Sequence, residues 1–183
     1  MSYPLRIRQR REGDANEVMR DNPLPVRIEN DALGDGPISV NTPIFITPRI
    51  VVPGVGAAVA YTSGDAFGTK FRIAVPTKGT ISHLVFLDRD DEGVNKELVL
   101  FSADFTATAD NAAFDVSDAD LLLCIGVVNV ALWYNFASNQ LGIATPALSY
   151  IQDSGSLYAQ FVTRGVDNIA AGSEPQFFMM IDQ

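Results

Sequence analysis

What most restricts the fold of this chain is a regular succession of short β-type segments from Pro43 onward, each closed by a cluster of turn residues. "KFRIAV" alternates Phe71, Ile73 and Val75 with Lys70, Arg72 and Ala74. A period of two sends one set to a buried face and the other to water. "IFITPRIVV", "TISHLVFLD", "KELVLFSA", "CIGVVNVALWY", "ALSYI", "SLYAQFVTR" and "PQFFMMID" share the β-branched and aromatic enrichment of strands. Between them stand "PTKG", "RDDEG", "ADNAAFDVSDAD", "NFASNQ", "QDSGS" and "GVDNIAAGSE", rich in the residues that make turns. About eight strands result, and no amphipathic helix of about 10–15 residues separates them, so βαβ units are excluded. The expectation is an all-β fold, a jelly-roll-like antiparallel β-sandwich or barrel, over residues 44–183. Pro48 marks its segment as an edge or bent strand.

Residues 1–43 differ in texture. Pro4, Pro23, Pro25, Pro37 and Pro43 break helices and favour extended chain. Only "GDANEVMRD" has the makings of a helical turn or two. "PLRIRQR" and "PLPVRIEN" alternate apolar and polar residues, so each can pair as a short strand, but neither can bury a core alone. This reads as an extended N-terminal arm that orders against a partner. Its partner-binding residues are Leu5, Arg6, Ile7, Arg8, Arg10 and Arg11 in the first segment and Leu24, Val26 and Ile28 in the second. In an extended strand Arg6, Arg8 and Arg10 share one face, opposite Leu5 and Ile7.

Charge follows the same division. Residues 1–49 carry seven basic and seven acidic residues, whereas residues 50–183 carry six and fifteen, so the whole net charge of −9 lies in residues 50–183. An acidic body argues against a nucleic-acid groove, which needs clustered Lys and Arg. Cys124 is the one cysteine, so no intrachain disulfide forms, and "LLLCIGVV" reads as a small apolar residue in a packed segment. No signal-like segment opens the chain, and no apolar run approaches the roughly 20 residues that span a bilayer. A soluble chain made in a cytosol is expected, with no membrane partner.

The carboxylates of "FTATADNAAFDVSDAD" raise the question of a metal or acid–base site. Local structure accounts for them. Ser117 can cap a short helix over "SDADLLL", with Asp118 and Asp120 in its first turn and Asp115 at its mouth, and Asp110 sits in a turn-forming "ADNAA". In "DRDDEG", Asp88, Asp90, Glu92 and Gly93 imitate the start of a calcium loop, but the twelfth position is Val99 and the flanks are strands, so a solvated acidic turn is expected. His83 is the one histidine, which excludes polyhistidine metal sites and HExxH. It reads as a packed or outward strand residue. No G-x-S-x-G elbow supports a triad, and the glycine-rich stretches match neither phosphate-binding pattern. A two-carboxylate glycosidase is disfavoured by the scarcity of aromatic platforms. No enzymatic activity, metal or cofactor is expected.

"LVLFSADFTATADNAAFDVSDADLLLCIGVV" and "SLYAQFVTRGVDN" resemble strings that recur in small structural proteins of tailed bacteriophages. The resemblance spans roughly residues 57–183 and leaves out the arm. It implies a virion protein, most simply a head decoration or cement protein, assembled in the host bacterial cytoplasm. Its implied partners are the major capsid protein and further copies of itself, commonly as a homotrimer on threefold axes. The arm then clamps neighbouring capsid subunits by strand addition. The alternative is a tail-associated receptor- or carbohydrate-binding module, with Trp133, Tyr134, Tyr150 and Tyr158 as candidate platforms.

Overall fold

The computed structural model describes residues 43–56 and 60–183. Contacts divide the chain into Met1–Asn41 and Thr42–Gln183, and the second unit is the β-domain. It begins with β1 (Ile44–Ile46), β2 (Ile50–Val51) and β3 (Ala60–Tyr61). β4 (Ala66–Ala74), β5 (Lys78–Asp88) and β6 (Lys96–Phe101) follow, then a single helical turn, α1 (Asp118–Leu121). β7 (Cys124–Val130), β8 (Leu132–Asn135), β9 (Gln140–Ala144) and β10 (Leu148–Ile151) lead to β11 (Ser156–Thr163), β12 (Asp167–Asn168) and β13 (Gln176–Asp182).

All pairings are antiparallel and form two main sheets. One runs β1-β13-β5-β9-β8, with β2 also on β13 and β10 also on β5; the other runs β4-β11-β6-β7. β3 and β12 make a separate ribbon. β1 and β2 pair successive parts of β13, so they are one strand interrupted at Pro48. β9 and β10 likewise share β5, interrupted around Pro146, where Ala147 has a φ of 51°. With these merged, and β8 and the β3–β12 ribbon set aside, eight principal strands remain, of which the first pairs the last, the second the seventh, the third the sixth and the fourth the fifth. That is a long hairpin rolled up into two facing sheets, the jelly-roll arrangement.

Alternation drives the packing. Phe71 and Ile73 of β4, Leu98 and Leu100 of β6, and Leu157, Ala159 and Phe161 of β11 face Leu84 and Phe86 of β5 and Phe177, Met179 and Ile181 of β13. Phe161 is the hub, with ring centroids 5.2 Å from both Phe86 and Phe177 and 5.9 Å from Phe71. Tilted and edge-on pairs at such separations contribute about 0.5–1.5 kcal/mol each beyond area burial.

Two elements differ from the sequence expectation. "CIGVVNVALWY" is two strands, not one. Val128 and Val130 point inward from the four-stranded sheet, and after Ala131 it is Trp133 that points inward. The chain changes sheets there and the alternation slips by one. β9 is not among the strands read from the sequence, where Gly142 separates Leu141 from Ile143. Gly142 is required by crowding, since a Cβ there would meet Val130 Cγ1 at 2.5 Å.

The β6–β7 connection, residues 102–123, lies over the outer face of the four-stranded sheet and closes a second small core. Phe105 stacks on Phe101 at 3.9 Å, with Val99 and Val162 beneath and Phe114, Val116 and Cys124 packed around. Gln160, fully buried on β11, pins this excursion. Its Nε2 donates to Gly68 O and Thr108 O at 2.9 and 2.6 Å, and its Oε1 accepts from Thr108 N at 3.1 Å.

Candidate interaction surface

The aspartates of the excursion are structural. Ser117 caps α1 by accepting from Asp120 N at 3.1 Å, and Asp120 Oδ2 accepts from Thr106 N at 3.2 Å. Asp115 is held through its backbone, which exchanges hydrogen bonds with Thr108 Oγ1. Asp110 does more than make a turn. It accepts from Gly68 N at 2.7 Å, Gly56 N at 3.1 Å and the Tyr61 hydroxyl at 2.9 Å, so one carboxylate ties three separate segments together. Gly68 is needed there, since its φ is +76° and a Cβ would meet Pro53 O at 2.5 Å. Burial first, and then the Asp110 carboxylate, push the Tyr61 phenol well above its usual range, so it remains a donor. Asp110→Ala is expected to cost about 3 kcal/mol, because it strands donors as well as losing charged hydrogen bonds. Urea unfolding measures this, and a loss below about 0.5 kcal/mol would show that Asp110 is not a brace.

The "DRDDEG" loop is likewise stapled from within. Asp88 Oδ1 and Oδ2 accept from Asp90 N and Gly93 N at 2.9 and 2.7 Å, and Asp90 Oδ2 accepts from Ala170 N at 2.5 Å. Among the described residues no group of three or more His, Cys, Asp or Glu is arranged to hold a metal ion. Beside this loop, Lys96 and Asp167 form an ion pair buried to 2% and 0% exposure, which the sequence reading did not anticipate.

The four aromatic residues named as carbohydrate platforms do not converge. Trp133 packs edge-on to Phe86 and donates to Asn95 Oδ1 at 3.1 Å. Tyr150 is in the main core, where burial raises its phenol to about 12. Tyr158 belongs to the second core, and Tyr134 alone is largely exposed. His83 points outward from β5.

One apolar surface is the outer face of the β1-β13-β5-β9-β8 sheet. The register lines up Phe178, Val85, Ile143 and Leu132 in one row and Gln176, Leu87, Leu141 and Tyr134 in the next. Ile46, Met180 and His83 form a third. Ile44, Ile46, Leu132 and Tyr134 are exposed and the rest of the apolar members half-buried. The first two rows contain no Lys, Arg, Asp or Glu. An ordinary solvated sheet face alternates apolar-in with polar-out, and this one is apolar on both sides. A contiguous exposed apolar surface marks an interaction site. Its border is the interrupted edge strand β1/β2, whose first residue, Ile44, follows directly on residues 1–43. Leu5, Arg6, Ile7, Arg8, Arg10, Arg11, Leu24, Val26 and Ile28 lie outside the described residues. No protein-family model, curated protein or solved structure matches this chain.

Proposed function

We propose that this is a non-enzymatic virion structural protein of a tailed bacteriophage, a capsid decoration or cement protein that clamps neighbouring capsid subunits through its N-terminal arm. The observation that carries the reading is the apolar outer sheet face bordered by the edge strand β1/β2, which residues 1–43 directly precede in sequence. A docking face, together with an N-terminal segment whose sequence reads as an arm, suits a subunit that sits on a lattice and reaches to the next one. The jelly roll is an architecture used by viral capsid proteins, although lectins and cupins use it too. The resemblance of "FTATADNAAFDVSDAD" and "SLYAQFVTRG" to phage structural proteins favours the virion among these. The partners are the major capsid protein and further copies of this chain, as a trimer, and the place of action is the particle. A tail-associated receptor-binding role is the second reading, but the scattering of Trp133, Tyr134, Tyr150 and Tyr158 gives it no groove.

Charge has a secondary part in this reading. Arg6, Arg8, Arg10 and Arg11 are a basic cluster in a chain of net charge −9. Each exposed pair they make is worth about 1 kcal/mol at most, so strand addition carries more of the attachment. Changing all four to Ala is expected to weaken binding to particles in low salt and to flatten its salt dependence, without abolishing it. Co-sedimentation of protein with particles across a salt series measures this. Binding that is unchanged in low salt would remove the arginines from the anchor.

A further inference from the structure

Lys96 lies at the inner end of β6 and Asp167 in β12, each almost wholly removed from water. Lys96 Nζ stands 2.5 Å from Asp167 Oδ2, nearer than the usual ammonium–carboxylate separation of about 2.7–2.9 Å. The contact falls short of ideal hydrogen-bond geometry at the Asp167 oxygens. Lys96 Nζ also donates to Val94 O at 2.8 Å, and the Phe67 ring covers it at 4.8 Å. Buried ion pairs persist when their remaining lone pairs are well satisfied, and the Asp167 carboxylate is met only by this ammonium and by the Asn168 backbone. Two further acids, Asp88 and Glu92, act on both members of the pair. Both oxygens of Asp88 are occupied in holding its turn.

We propose that Lys96 and Asp167 condense spontaneously into an intramolecular isopeptide bond, Nζ to Cγ. The reacting forms are the neutral amine and the protonated acid. Burial favours both, lowering the lysine and raising the aspartic acid against their mutual attraction. The Nζ lone pair adds to Cγ and a C–N bond forms. A proton passes from the nitrogen to the departing Asp167 hydroxyl. The C–O bond breaks and one water leaves. The step is redox-neutral and needs no cofactor. Holding the two groups in contact in a dry site supplies the effective concentration that a free amine and acid lack. The bond joins β6 of the four-stranded sheet to the β12–β3 ribbon, a covalent staple across the end of the sandwich, and it stands independently of the particle-binding reading.

The test is the intact mass of the full chain in denaturant, with a peptide map. The expected mass is one water below that of the sequence. Trypsin is expected to leave Lys96 uncut and to release a branched peptide joining the segments around Lys96 and Asp167. Lys96→Arg and Asp167→Ala should each restore the sequence mass. A wild-type mass equal to the sequence overturns the proposal, even where the variants fail to fold. So does a water loss that maps elsewhere or survives in Lys96→Arg.

Discussion

Lys96→Met is expected to lower the unfolding free energy by about 3–5 kcal/mol, the range for removing one member of a buried ion pair. Asp167 would be left fully buried beside the carboxylate of Asp88 with no cation to balance either. Asp167→Leu alone should cost a similar amount by stranding the ammonium over Phe67. The double variant should be more stable than either single one, because an apolar pair of similar volume has no charge to desolvate. It should still fall short of the wild type when the isopeptide bond has formed, since the covalent constraint on the unfolded chain is lost with it. Denaturant melts of the four proteins form a double-mutant cycle. If the double variant loses the full sum of the single losses, the pair is not coupled.

The second large effect concerns attachment. Removing residues 1–43 is expected to leave a folded body that no longer decorates particles. The body has its own core, centred on Phe161 and closed by both sheets. The one backbone bond broken by the cut among the described residues is Gln183 N to Pro43 O at 3.0 Å, worth about 1 kcal/mol. Stability of the truncated body should therefore stay close to that of the full chain. Binding should fall below detection in the same co-sedimentation assay, because the apolar face alone docks without the strand pairing that "PLRIRQR" and "PLPVRIEN" supply. A truncated body that still decorates particles at full occupancy would show that the arm is not the anchor.

Much of the fold was legible in the sequence because strand alternation and turn chemistry are local. "KFRIAV" reads directly as β4, and Pro48 reads directly as the break between β1 and β2. The cap at Ser117 was legible for the same reason. Three things were not. The sheet change at Ala131 shows only as a slip in alternation, which a long apolar run conceals. Asp110 was read as a turn residue, since its partners at residues 56, 61 and 68 are brought to it only by the rolled-up topology. The Lys96–Asp167 pair unites residues far apart in sequence, and a lone lysine heading "KELVLF" looks like a solvated strand end. The outer apolar face was visible in part. "PQFFMMID" and "HLVFL" are apolar at successive positions rather than alternate ones, a pattern that calls for burial on both faces.

The central proposal, a structural role in a phage particle, is tested most directly by counting this chain in particles purified from lysates in which it is made. Quantitative peptide mass spectrometry against the major capsid protein gives the number. A fixed ratio that survives repeated purification, and drops when residues 1–43 are deleted from its gene, is the predicted result. Particles that are complete and infective while holding none of this chain would contradict it.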